Sequence, residues 1–335
     1  MVGLGAYTSI VTNNGQTIND YEVPITTGNA YTAALVLLGI DYAAREQNID
    51  IATAKVAVVG ATGNIGLVLA KVLIQQVGQL HLIGRQGESG LFRLRYARQQ
   101  CLQELLALIH QESVADIDFH EMAPGMIARK VYQVLNTKRE RAKLHHFDDE
   151  AVAALFAGLD AEKLPTDMGT VLEKVLADEP FDNEESYGVE LHTDMAILRS
   201  CDIVVVATNS PDPHLITPEK VRPGSIVCCA SVPSNLSPTF EDKLDHFYAF
   251  EGGLARLPEN SRIDFVGMPG ADICYGCIAE TLLTGFDGHN HSFCKGLLEV
   301  EHVYQALEMA NQHGFSLGDL KLNDKVWKQV TSVPE

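Results

Sequence analysis

An α/β fold built on a doubly wound parallel sheet is what this sequence predicts, and three observations carry the expectation. Lys55 to Val59 is an unbroken, largely β-branched run, the pattern of a strand buried on both faces. It leads directly into Gly60-Ala-Thr-Gly-Asn-Ile-Gly66 and then into the helix-like stretch Leu67 to Gln76, so a glycine-tight turn joins strand to helix. Farther along, short apolar runs alternate with turn or helical stretches, and that alternation builds a parallel sheet.

Size and charge bound the rest. With 335 residues, 46% of them apolar, the chain can bury a large core and divide into roughly two lobes at ~100 to 200 residues per domain. A net charge of -19 argues against nucleic acid, which is held mainly by clustered Lys and Arg. Seven scattered cysteines fit reduced thiols in a cytoplasmic protein better than a disulfide framework. The most apolar early run, Ala33 to Ile40, ends at Asp41, far short of the ~20 residues of a transmembrane segment, and Met1 opens no signal peptide.

Taken in order, Gly3, Gly5 and Ala6 to Val11 predict a turn leading into a strand, followed by an Asn13-Asn14-Gly15 turn. Thr26, Thr27, Gly28 and Asn29 precede the helical stretch Ala30 to Gln47 and are suited to capping it. After the Lys55 strand and its helix, Leu80 to Ile83 is the second strand. Ile203 to Ala207, Ser225 to Cys229, Phe247 to Phe250 and Ile263 to Val266 follow. Gln86 to Tyr187 exceeds a minimal nucleotide fold. Phe92 to Ile109, Met126 to Leu135 and Ala151 to Leu176 suggest a mainly helical insertion with a break near Pro165. Within it, Arg129, Lys130, Lys138, Arg139, Arg141 and Lys143 form a basic stretch, and Asp148 to Glu190 is strongly acidic. A helix from Glu299 to His313 ends at Gly314.

The glycine turn carries the first chemistry. In a Rossmann-type phosphate turn, Gly60 permits the tight bend, Gly63 lets backbone N-H groups approach a pyrophosphate, and Gly66 lets the helix close on the strand. Thr62, Asn64 and Ile65 share that turn, and Ala207 with Thr208, at a later strand end, is expected to border the same ligand. Where an NAD enzyme usually carries an acid for the ribose 2'-hydroxyl, the second strand ends in Gly84-Arg85, which favours NADPH. Arg93 and Arg95 are further cations nearby, read as helix-face charges.

Asp272-Ile-Cys-Tyr-Gly-Cys277-Ile-Ala-Glu280 places Cys277 in the first turn of a helix, where the dipole and unpaired N-H groups favour a thiolate. Such a thiolate can take an acyl group from a thioester; a buried inert thiol is the alternative. Cys274 and Cys277 with His291 and Cys294 also have ligand-like spacing for zinc, but the intervening helix holds the pairs apart, and neither a metal nor a Cys274 to Cys277 redox pair is expected.

Several segments resemble the cyanobacterial long-chain acyl-acyl carrier protein reductases, which form aldehydes. These are Gly5-Ala-Tyr-Thr-Ser-Ile10, Thr26-Thr-Gly-Asn-Ala-Tyr-Thr32, Ala57 to Gly66, Gly252-Gly253, Cys277-Ile-Ala-Glu280 with Phe286-Asp-Gly288, and Val303 to Phe315. The likeness runs from Gly5 to Arg85 and from Tyr187 to Leu320. It implies that Cys277 is the acyl-accepting nucleophile, that NADPH is the reductant, and that acyl carrier protein or acyl-coenzyme A donates the substrate. Relative to that family the N-terminal region is short, a remnant of a substrate lobe, so either another domain or subunit supplies that surface or the substrate differs. The residue pattern and the resemblance together divide the chain into a substrate-lobe segment and connecting helix at 1-54, an NADPH-binding domain at 55-85 and 188-270, a helical insertion without a family counterpart at 86-187, and a catalytic-cysteine helix with a C-terminal helix at 271-335.

Thr27, Asn29 and Ser231 are then the candidate oxyanion or substrate contacts, although capping or turn roles suit each of them singly. Glu280 is read as a cap for its own helix and His214 as a loop residue. The basic 129-143 stretch is read first as a solvated helix face paired with the acidic segment that follows, with docking of an acidic carrier as the alternative. Thr26 to Asn29 also resembles the substrate loop of shikimate-type dehydrogenases, which keeps direct hydride transfer open. A non-catalytic NADPH-binding subunit is the third alternative.

Overall fold

A computed structural model describes residues 1-5, 7-18, 23-110, 122-123, 125-133, 188-263, 267-323 and 325-330. Its centre is an eight-stranded, mainly parallel sheet. The strands come from β3 (Lys55–Val59), β4 (Gln79–Ile83), β5 (Val189–His192), β6 (Ile203–Val206), β7 (Ile226–Cys229), β8 (Tyr248–Glu251), β12 (Leu320–Leu322) and β13 (Lys325–Lys328). They lie in the order β13-β12-β8-β7-β6-β3-β4-β5. The chain therefore winds outward from β3 through β4 to β5, then returns to β6 on the other side of β3 and winds away again. Neighbours from β5 to β8 pair in parallel, whereas β12 and β13 add an antiparallel edge that the sequence reading did not contain.

The β-branched runs are central strands because they are apolar on both sides: β6 and β7 are buried throughout, and so is β3 after Lys55. Val56 and Val58 face one core together with α2 (Asn29–Glu46), α3 (Asn64–Leu73) and α4 (Glu88–His110). Ala57 and Val59 face a second core closed by the short 3-10 turns Ala196–Ser200 and Pro238–Lys243. Each such Val, Leu or Ile contributes about 1.5-3 kcal/mol when fully buried.

Three smaller parts complete the architecture. β1 (Val2–Gly3) pairs with β2 (Ile25–Thr26), and α1 (Tyr7–Val11) lies between them in sequence. The expected strand at Ala6 to Val11 is thus a helix from Tyr7. Its three β-branched residues, Thr8, Ile10 and Val11, remain exposed and gain no partner strand, so their strand preference goes unexpressed. β9 (Leu254–Arg256) lies between β10 (Ile273–Tyr275) and β11 (Ser316–Leu317) in an antiparallel sheet. α5 (Gly276–Phe286) follows β10 directly, and α6 (Val300–His313) ends in a left-handed Gly314 cap, as expected. Of the expected Ile263 to Val266 strand only Ile263 is among the described residues, and its N-H donates to the Ala271 carbonyl; the rest lies outside them.

Within the predicted insertion, α4 covers the expected Phe92 to Ile109 helix and residues 127-133 are helical. The expected helix at Ala151 to Leu176 and the cations Lys138, Arg139, Arg141 and Lys143 lie outside the described residues. Among the described residues no helix is long and apolar enough to cross a membrane.

Candidate active site

The strand order fixes where a cleft must open. β3 and β6 are neighbours whose following connections depart in opposite directions, and the crevice beyond their carboxyl ends is where ligands bind in open α/β sheets. A cleft of about 1150 Å³ occupies that position, lined by residues from the ends of β3, β4, β6 and β7 and from the starts of α2 and α5.

Its floor is the glycine turn. Gly60 has φ +86°, and a Cβ there would lie 2.3 Å from the Ala207 carbonyl oxygen, so the end of β3 closes on the end of β6. A Cβ on Gly66 would lie 2.2 Å from the Gly60 carbonyl oxygen, which lets α3 begin against the strand it follows. Gly63 caps α3 in extended conformation without a side-chain hydrogen bond. The first-turn N-H groups of Asn64, Ile65 and Gly66 therefore form a helix N-terminus of the kind that binds anions. Thr62, Gly63, Asn64 and Ile65 line the cleft, and Gly66 packs behind it. The Asn64 side chain is committed elsewhere: it donates to the Gly296 carbonyl at 3.1 Å and accepts the Leu298 N-H at 2.8 Å, tying the loop before α6 to the turn.

At the far end, Arg85 is exposed at the rim and reaches Asn209 at 3.4 Å. Arg93, on α4, also lines the cleft, so of the two arginines read as helix-face charges one is turned toward it. Ala207 and Thr208 form the wall opposite the turn. The Thr208 N-H donates to Ser231 Oγ at 3.0 Å, which fixes that hydroxyl at the cleft edge.

The other half of the cleft is built where α2 and α5 meet. Gly28, at φ +77°, caps α2, and a Cβ there would lie 2.3 Å from Cys277 Cβ. A Cβ on Gly276 would lie 2.8 Å from Thr32 Cα, so the two helix starts touch backbone to backbone. Cys277 is the second residue of α5 and lines the cleft. It alone of the seven cysteines is not buried. Burial pushes the other thiols up, to about 12 for Cys101, Cys201, Cys274 and Cys294.

Glu280 has no exposed surface and does not cap its own helix. Its carboxylate accepts the Gly28 N-H at 3.0 Å, the Tyr31 N-H at 2.8 Å and the Thr26 hydroxyl, so it caps α2 instead. Burial pushes its carboxyl upward, and these hydrogen bonds pull it partly back. Thr27 and Asn29 both line the cleft. The Thr27 hydroxyl donates to Cys294 Sγ at 3.1 Å, which makes it part of the wall, and Asn29 opens α2. His214 pairs with Ser237 at 3.2 Å and does not line the cleft. Cys274, Cys277, His291 and Cys294 do not converge as ligands. Among the described residues the group whose ligand atoms do converge is His81, Glu190 and His192.

Fold and site together define a mixed α/β chain with a ligand-sized cleft at the switch point of a mainly parallel sheet. No protein-family model matches the chain. Over 319 residues, 94% of the chain, it is 21% identical to the aminotransferase PigE of Serratia sp., covering 28% of that protein. Over 95 residues, 25% of the chain, it is 38% identical to a long-chain acyl-[acyl-carrier-protein] reductase of Synechococcus elongatus, again covering 28% of it. The chain thus spans under a third of the length of either relative.

Proposed function

We propose that the chain is a Rossmann-type, NADPH-dependent reductase that converts a fatty acyl thioester to an aldehyde through an acyl-Cys277 intermediate. The observation that carries this reading is that Cys277 stands at a helix start in the same cleft as the Gly60 to Gly66 turn. Similarity to the Synechococcus reductase supports it. Both relatives extend far beyond their matched parts, so neither name alone passes an activity to this chain, and the reductase likeness supports the reading only alongside the Cys277 site.

The residues suit the cofactor: a glycine cradle that a Cβ would fill and an uncapped helix N-terminus for the pyrophosphate, with Arg85 and Arg93 for the 2'-phosphate. NADPH, when bound, supplies the hydride that turns the cysteine-bound acyl group into an aldehyde. The first step belongs to the chain itself. The α5 N-terminus favours the Cys277 thiolate. The thiolate adds to the thioester carbonyl, a new carbon-sulfur bond forms, and the carrier leaves as its thiolate. Ser231 and Asn29 stand in the cleft as polar groups for the oxyanion. Tyr7 and Ile10 line the cleft and are half exposed, which gives an acyl chain an apolar path at its mouth. An N-terminal region or partner supplying more of that surface, with acyl carrier protein as donor, belongs to the same reading, as does a cytoplasmic location.

The test is aldehyde release from palmitoyl-coenzyme A and NADPH by the full chain and by Cys277→Ala. The reading predicts turnover only with the cysteine. Turnover retained in the variant means direct hydride transfer, and tight NADPH binding without turnover in either means a non-catalytic subunit.

A further inference from the structure

The edge of the sheet brings together a second set of reactive side chains. His81 on β4 pairs in register with Glu190 on β5, and His192 follows Glu190 by two, so all three project from the same face. His81 Nδ1 lies 3.1 Å from His192 Nε2, and the Glu190 carboxylate oxygen lies 3.4 Å from each of those nitrogens. Two imidazole nitrogens and one carboxylate oxygen thus form a nearly equilateral triangle.

We propose that His81, Glu190 and His192 bind a divalent cation of the zinc class, with a fourth position open to solvent. Tetrahedral zinc with bonds of ~2.0-2.1 Å sets its ligand atoms about 3.3-3.4 Å apart, which matches this triangle. Two histidines and one glutamate are also an established zinc ligand set when water takes the fourth place. The lone pairs make the same point. His81 is 2% exposed, and its Nε2 is buried without a hydrogen-bond partner among the described residues. If the ring proton sits on Nε2, the Nδ1 lone pair faces two further lone-pair atoms, and a cation satisfies all three at once.

Access is from the surface side, because the Glu190 and His192 side chains are 42% and 20% exposed. Lys55 repels a cation from the same side, so the charge balance rests on the Glu190 carboxylate. The buried Nε2-H lacks the acceptor that usually backs a zinc histidine, which makes the site about 10-100-fold weaker than a fully supported one. A bound cation clips edge strand β5 to β4. It thereby holds Thr193, Asp194 and Met195, which continue from β5 into the cleft wall.

The test is equilibrium dialysis of the full chain against Zn²⁺ with metal analysis, together with the absorption spectrum of the Co²⁺ form. The proposal expects one bound equivalent and cobalt bands free of sulfur charge transfer. It also expects at least about tenfold weaker binding in both His192→Ala and Glu190→Gln, and a zinc-dependent rise in unfolding temperature that the variants lose. Glu190→Gln keeps the side-chain shape, so it remains informative if the alanine variant unfolds. No binding, binding unchanged in Glu190→Gln, or thiolate charge transfer from cysteine ligation would each overturn it.

Discussion

The carboxylate of Glu280 accepts the backbone N-H of Tyr31 at 2.8 Å, so one helix start is capped by a side chain from another. The arrangement fixes α2 against α5 and with it the position of Gly28 over Cys277. Glutamine cannot replace it, because an amide keeps one acceptor oxygen where Glu280 uses two against three donors. Glu280→Gln is expected to cost about 1-3 kcal/mol in denaturant unfolding. Burial raises the folded carboxyl above its ordinary value of 4.5. The native state therefore binds the proton more tightly than the unfolded chain, and stability falls as pH rises from about 4.5 to the folded value. Glu280→Gln removes that slope; a slope unchanged in the variant assigns it to other groups.

Gly28→Ala meets two obstacles, a φ of +77° and a Cβ 2.3 Å from that of Cys277. Parting the two helix starts is expected to cost about 2-4 kcal/mol. Cys277 alkylation by iodoacetamide should change with it, since the thiol shifts relative to the α5 N-terminus. An unchanged rate and unfolding midpoint would show that the contact relaxes without consequence.

Arg85 and Arg93 converge on the cleft from β4 and α4. Replacing both with alanine is expected to remove about 1.5-3 kcal/mol of NADPH binding, roughly ten- to a hundredfold in Kd, while leaving NADH nearly unaffected. Fluorescence titration with both nucleotides measures the difference. Equal loss for the two would place the arginines away from the 2'-phosphate.

Local pattern made part of this molecule legible. The Lys55 run, the Gly60 to Gly66 turn and the helix after it are contiguous, so their burial and turn chemistry stand in the sequence, as does Cys277 at its helix start. What was hidden depends on distant partners. Glu280 caps a helix some 250 residues earlier in the chain, so its own neighbours suggested capping but the wrong helix. Asn64 uses its amide on a loop 232 residues away. His81 and His192 are separated by the whole excursion between β4 and β5, and only the register of those strands brings them together. At Tyr7 the β-branched residues pointed to a strand because nothing local showed that no neighbouring strand would accept them.

Transfer of the acyl group to Cys277 is open to intact-mass measurement after mixing the chain with palmitoyl-coenzyme A. The expected result is a mass increase of one palmitoyl group that is absent in Cys277→Ala and disappears, with aldehyde released, when NADPH is added. An adduct that persists in Cys277→Ala, or none on a chain shown to bind NADPH, would contradict it.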